Sequence, residues 1–297
     1  MEIICKLNSC SSTYVFFGGT VGLIFGSLIT SMSYRIPIIL EISWKEQINE
    51  FLGSNQKEYT ETKSRLETRY CKLSLWTPRS HCPGCGNALL AYQLIPVVSY
   101  LILRGRCGHC NDKINIRYPL IEILTSLLSA YIFYHYKLTL EALAFFSFIF
   151  FSLTLSLIDI ENKILPNMLV FPLLWLGILF NISGQITSLE EAVLGVIFGY
   201  IFLWTIARVY KLFSGKDGIG QGDIKLLAAL GGWVGLSLLP FLIILAASGG
   251  IIGGLIVKLT QSIKSPSIAF GPYLCASGLI VTMYDKSIYN LLQKISP

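Results

Sequence analysis

The chain has 297 residues and a formal net charge of +6, from 23 Lys+Arg against 17 Asp+Glu. Residues of the AVILMFWYC set make up 53%, charged residues only 13%, and mean hydropathy is +0.63, where a soluble domain carries roughly 25% charged residues. Disorder, collagen and coiled coil are excluded, and the short alternating segments of a membrane β-barrel are missing, so the composition predicts an all-α polytopic integral membrane protein.

The first apolar stretch covers residues 14–34. Only one base, Lys6, precedes it, which is unlike the basic start of a signal peptide. Its length matches the ~20 residues needed to cross a bilayer, so it reads as a retained transmembrane helix. Residues 35–117 form the large polar region and hold 12 of the 23 Lys+Arg. Within it, residues 89–103 are apolar but too short to span and contain Pro96, so they read as interfacial or re-entrant. Further apolar segments follow at 118–136, 138–158, 168–183, 189–210, 226–239, 240–258 and 271–291. About eight transmembrane helices result. The sixth is short and either re-enters or shares one kinked element with the seventh, broken at Pro240. No internal repeat or low-complexity tract stands out.

This divides the chain into an N-terminal helix (1–34), a cytoplasmic domain (35–117) and a transmembrane domain (118–297). With the N-terminus outside, all Lys and Arg except Lys6, Lys137, Lys286 and Lys294 fall in or beside cytoplasmic regions, as the positive-inside rule requires. The basic excess is therefore explained by topology and by contact with membrane lipids, and no nucleic-acid partner is needed.

Eight cysteines are unevenly placed: Cys5, Cys10, Cys71 and Cys275 are scattered, while Cys82-Pro83-Gly84-Cys85 and Cys107-Gly108-His109-Cys110 form two CxxC pairs. Two such pairs can set four thiolates around one Zn²⁺ as a zinc-knuckle loop. The alternative is a pair of redox or unpaired CxxC turns, which cytoplasmic placement disfavours. With four cysteines available, His81 and His109 are read as neighbours of the metal. Four protein ligands leave no open position, so the site would be structural.

Asp159 (Leu157-Ile158-Asp159-Ile160) and Asp223 (Gly220-Gln221-Gly222-Asp223) both fall at cytoplasmic ends of expected helices. Ionisable residues at a membrane edge are expected to face a cavity or a partner. Two carboxylates brought together can share one proton, one acting as base on water and the other as acid. Gly220 and Gly222 would let an extended substrate backbone approach. The plainer reading makes Asp223 a helix cap and Asp159 a solvated loop residue. Helix-end fields place the shared proton mainly on Asp159, near a C-terminus, and make Asp223 the base.

Six motifs in order give the chain a wider resemblance over residues 20–280. They are GLIFGSLITSMSYRIP (22–37), PRSHCPGC (78–85), IPVVSYLILRGRCGHC (95–110) with IRYPLIE (116–122), the Asp159 segment with Leu165-Pro166, GQGDIKLLAALG (220–231) and AFGPY (269–273). Together they resemble the bacterial type IV prepilin peptidases, membrane-embedded GxGD aspartic proteases. The resemblance implies cleavage of the cytoplasmic leader of prepilins or type II secretion pseudopilins, after a glycine and before the hydrophobic helix. It also implies N-methylation of the new terminus with S-adenosylmethionine, in the bacterial inner (cytoplasmic) membrane with the active site facing the cytoplasm. It carries the catalytic pair onto Asp159 and Asp223, and the zinc ligands onto Cys82, Cys85, Cys107 and Cys110. Two departures stand out. Thr30-Ser31 replaces the family's first-helix Asn, and Asn167 stands where Asp is common after Leu165-Pro166.

Glu122 reads either as an ion-pair partner of Arg117 or Arg104 or as part of a methyl-donor site. Lys225 either lowers the pKa of Asp223 or snorkels to headgroups. Competing classes are another GxGD protease and a zinc-stabilised transporter or redox membrane protein. A transporter would carry ligands on broken helices at the midplane, not carboxylates at one edge.

Overall fold

A computed structural model of the chain describes residues 11–52, 74, 75, 77, 79–82, 84–260, 269–285 and 288. Cys5, Cys10 and Cys71, most of the loop at 258–270 and the expected end of the last helix at 291 lie outside the described residues. All eight apolar segments contain helix: α1 Ser11–Leu52, α3 Arg117–Tyr136, α4 Leu140–Asn162, α5 Asn167–Ile182, α6 Leu189–Ser214, α7 Gln221–Val234, α8 Leu239–Thr260 and α9 Gly271–Met283. A short α2, Val98–Ile102, lies between α1 and α3. Four of these are long and apolar enough to cross a membrane: Ser12–Ile48, Leu140–Asn162, Leu189–Ser214 and Leu239–Leu259. The chain is thus an all-α, multi-pass membrane protein.

Three details refine the expectation. Helix α1 does not stop at Tyr34 but continues through Pro37 to Leu52. Residues 89–103 break into a 3₁₀ turn at Ala91–Leu94 and the five-residue α2, with Leu94, Ile95, Val98, Leu101 and Ile102 exposed. Residues 226–258 form two helices. Gly235, at φ 79°, ends α7, and α8 starts at Leu239, so Pro240 sits in the first turn of a new helix, where it is tolerated.

The chain forms two compact units, Phe16–Ala130 and Tyr131–Pro297 with the N-terminal Met1–Val15. In the first, α1 and α3 pack through glycines. A Cβ on Gly22 or Gly26 would meet the α3 backbone at 2.6 or 2.8 Å, and Ser126 Oγ donates to Gly19 O at 2.9 Å. Small residues let membrane helices approach in this way.

In the second unit, α7 is the core, packed against α5, α6 and α9. Ile224 and every residue from Leu226 to Val234 are buried, so this 14-residue helix is apolar all round because other helices surround it. Trp233 is fully buried, edge-on to Phe148 at 5.1 Å, and its indole N–H donates to Leu173 O at 2.8 Å. Thr139 and Ser188 cap α4 and α6 by accepting N–H bonds from Ala142 and Glu191.

Candidate active site

Asp159 lies in the last turn of α4, whose left-handed cap residue Lys163 (φ 56°) turns the chain into the Leu165-Pro166 loop. Asp159 is 5% exposed. Its Oδ2 accepts the backbone N–H of Gly271, the first residue of α9, at 2.8 Å. A Cβ at Gly271 would sit 2.7 Å from that oxygen, so only glycine allows this approach.

Asp223 sits in the first turn of α7, ahead of the apolar segment. Its Oδ1 is buried and has no hydrogen-bond partner in the described residues. Leu165 joins the two carboxylate-bearing ends. It lies against both Gly222 and Gly271, at 2.8 and 3.2 Å from where their Cβ atoms would be. The space beside Gly222 is therefore filled by Leu165 and is not left for a substrate backbone.

The Lys225 ammonium donates to Asn167 Oδ1 at 3.1 Å, linking α7 to the start of α5. The contribution of Gly271 was not apparent from sequence reasoning. The AFGPY motif was its only signal, and a backbone N–H leaves no mark in residue identity.

The four CxxC sulfurs come together, all within 4.8 Å of one another, with Cys82 and Cys107 buried and neither histidine in the cluster. Zn–S bonds near 2.3 Å in a tetrahedron imply S···S distances of about 3.8 Å. The Cys82 and Cys110 sulfurs are 3.8 Å apart. The donor set and its spacing thus fit Zn²⁺.

The knuckles repeat each other at an offset of 25 positions, and the repeat extends from the shared CxxC to the backbone hydrogen bonds around it. In the first, Leu89 N–H bonds Ser80 O, Cys82 N–H bonds Asn87 O, and Gly86 N–H bonds Cys82 O. In the second, Ile114 bonds Gly105, Cys107 bonds Asp112, and Asn111 bonds Cys107 in the same way. Gly86 and Asn111 hold the matching left-handed positions, φ 71° and 59°. Backbone amides of Cys110 and His109 pull the Cys107 thiol down to about 6. Cys110, despite an amide from Asp112, is pushed up to about 12 by desolvation and the neighbouring sulfurs. Four clustered thiols cannot all ionise without a cation.

Glu122, in the first unit, is 8% exposed. The Val97 N–H donates to its Oε2 at 2.7 Å, and the Ser27 hydroxyl also reaches it. Its acceptor capacity is thus engaged by α1 and by the chain ahead of α2, where an ion pair with Arg104 or Arg117 was one expectation.

Residues 20–136 match the profile described as Bacterial Peptidase A24 N-terminal domain, and residues 146–284 that of the Type IV leader peptidase family. Three similar proteins carry the name Prepilin leader peptidase/N-methyltransferase. The one from Pseudomonas aeruginosa is 37% identical over 97% of this chain and 96% of its own length. That from Neisseria gonorrhoeae is 38% identical over 96% and 95%, and that from Burkholderia pseudomallei 40% over 93% and 87%. No solved structure matches the chain.

Proposed function

The chain belongs to the type IV leader peptidase family, and from that premise we propose that it is a prepilin leader peptidase and N-methyltransferase. It cuts the cytoplasmic leader from prepilins or pseudopilins and methylates the amine so exposed, in support of pilus assembly or type II secretion. The observation that carries the peptidase reading is the approach of Asp159 and Asp223 through Leu165, with Gly271 aimed at Asp159.

In this reading the resting pair holds one proton, on Asp223. The Gly271 N–H favours charge on Asp159, because hydrogen bonding to the ionised form stabilises it. Asp159 then takes a proton from water as the water oxygen attacks the scissile carbonyl. Asp223 donates its proton to the carbonyl oxygen. Collapse of the tetrahedral adduct breaks the C–N bond: the leaving nitrogen takes the proton held by Asp159, and one hydroxyl of the adduct returns a proton to Asp223, leaving the new carboxyl group. These roles reverse the assignment drawn from helix ends.

Cys82, Cys85, Cys107 and Cys110 would hold a structural Zn²⁺ that ties the knuckles together. S-adenosylmethionine would supply a methyl group on a sulfonium, its transfer to the amine leaving a thioether and releasing one proton. The eight apolar helices are read as eight spans, α7 being the short, enclosed one. Residues 35–117 form the metal-bearing cytoplasmic domain after the first span, and residues 118–297 the peptidase domain. The protein would lie in the bacterial inner membrane with its aspartates at the cytoplasmic face, as the distribution of Lys and Arg supports.

The test is incubation of the purified protein with a prepilin, with and without S-adenosylmethionine, read by intact mass. The expected products are the leaderless pilin and, with the donor, the same species heavier by one methyl. An unchanged prepilin mass would sink the peptidase reading.

A further inference from the structure

Leu165 stands between the backbone neighbours of the two aspartates. Its Cβ and Cδ1 lie 2.8 and 3.2 Å from where a Cβ on Gly222 would be, and its other methyl, Cδ2, lies 3.2 Å from where a Cβ on Gly271 would be. Gly222 precedes Asp223 in the chain, and Gly271 donates its N–H to Asp159. The two methyls of one side chain thus close on the two aspartate-bearing ends at once. Leu165 is itself only half-buried, so part of it still faces the space an incoming chain would use.

The backbone pins this side chain in place. Lys163 closes α4 with a left-handed turn at φ 56°. Pro166 is buried and is the cap residue of α5, and a residue before proline is confined to extended backbone. Two residues past Leu165, Asn167 Oδ1 accepts the Lys225 ammonium at 3.1 Å. Lys225 is two residues past Asp223, so this bond fixes the register of Leu165 against the helix that carries Asp223.

Cleavage requires a carbonyl carbon within about 3–3.5 Å of the attacking water, with both carboxyls in reach. The Cα that carries this carbonyl is bonded to it at about 1.5 Å and must enter the same gap. The Cα beyond the scissile nitrogen stays one atom further away. We infer that Leu165 is the specificity-determining residue of the peptidase: it closes the gap to any side chain on the residue whose carbonyl is attacked, and so imposes glycine there. The inference rests on the peptidase reading above, and it gives the glycine expected by resemblance a steric cause. The other cause such a demand can have is glycine's freedom to adopt positive φ, and experiment separates the two.

The test uses the full-length protein in lipid nanodiscs and prepilins carrying glycine, L-alanine or D-alanine before the scissile bond, the last made by peptide ligation. Leader cleavage is read as kcat/KM by intact mass. Wild type should cut the L-alanine prepilin at least about tenfold more slowly than the glycine one, the selectivity that one carbon commands in a closed site, and should reject D-alanine as well. Leu165→Ala should narrow the glycine-to-L-alanine ratio by about tenfold or more, whatever its absolute rate. Leu165→Val, which removes one carbon and keeps a branched side chain, should narrow it partway. Thermal unfolding shows that each variant folds. A ratio unchanged in both variants overturns the assignment, as does a wild type that accepts D-alanine while rejecting L-alanine, since the demand is then conformational. Folded variants that cut neither prepilin, or a wild type that cuts the glycine and alanine prepilins alike, also overturn it while leaving the peptidase reading in place. A wild type that leaves even the glycine prepilin uncut overturns that reading, and this inference with it.

Discussion

Asp223 keeps a buried oxygen without a hydrogen-bond partner among the described residues, while Asp159 receives the Gly271 N–H at 2.8 Å. Asp159→Asn and Asp223→Asn are each expected to lower leader cleavage by at least about 10²-fold, with both proteins still inserted; intact-mass kinetics on a prepilin decide this. Gly271→Ala should slow cleavage by about tenfold while leaving the fold intact, because its methyl would crowd the Asp159 oxygen from 2.7 Å. Wild-type kinetics in that variant would remove Gly271 from the site.

Helix α7 joins the site to the core of its unit: Asp223 stands in its first turn and Trp233 near its other end. Its position depends on a backbone crossing with α6. A Cβ on Gly195 would clash with Gly231 O, and one on Gly231 with Gly195 O. Since backbone lies on both sides, neither partner can yield by changing a rotamer. Gly195→Ala should therefore cost about 1–3 kcal/mol or more by overpacking and lower cleavage as α7 shifts. Thermal unfolding in detergent together with prepilin kinetics would read both effects, and wild-type values for each would show the crossing to be looser than drawn. Hydropathy located α7 but not its burial, since an apolar run has the same composition whether lipid or other helices surround it. The short α2 was legible only as something unable to span, because exposed apolar residues and Pro96 break no recognisable period.

Across the whole chain, the two chemistries fall in different compact units, the cysteines in Phe16–Ala130 and the aspartates in Tyr131–Pro297. Cys107→Ser should therefore lose one Zn²⁺ per chain by metal analysis and lower the melting temperature. Methylation should fall more than leader cleavage. A wild-type protein purified reduced and without chelator that contains no zinc would contradict the metal assignment. The membrane class, the cysteine pairs and the two aspartates were all decided by sequence alone, because apolar runs, CxxC spacing and a GxGD tetrad are local properties of neighbouring residues. Long-range contacts decided the rest. Gly271 meets Asp159 across 112 positions, Glu122 meets Val97 across 25, and the knuckles repeat in backbone hydrogen bonds beyond their shared CxxC.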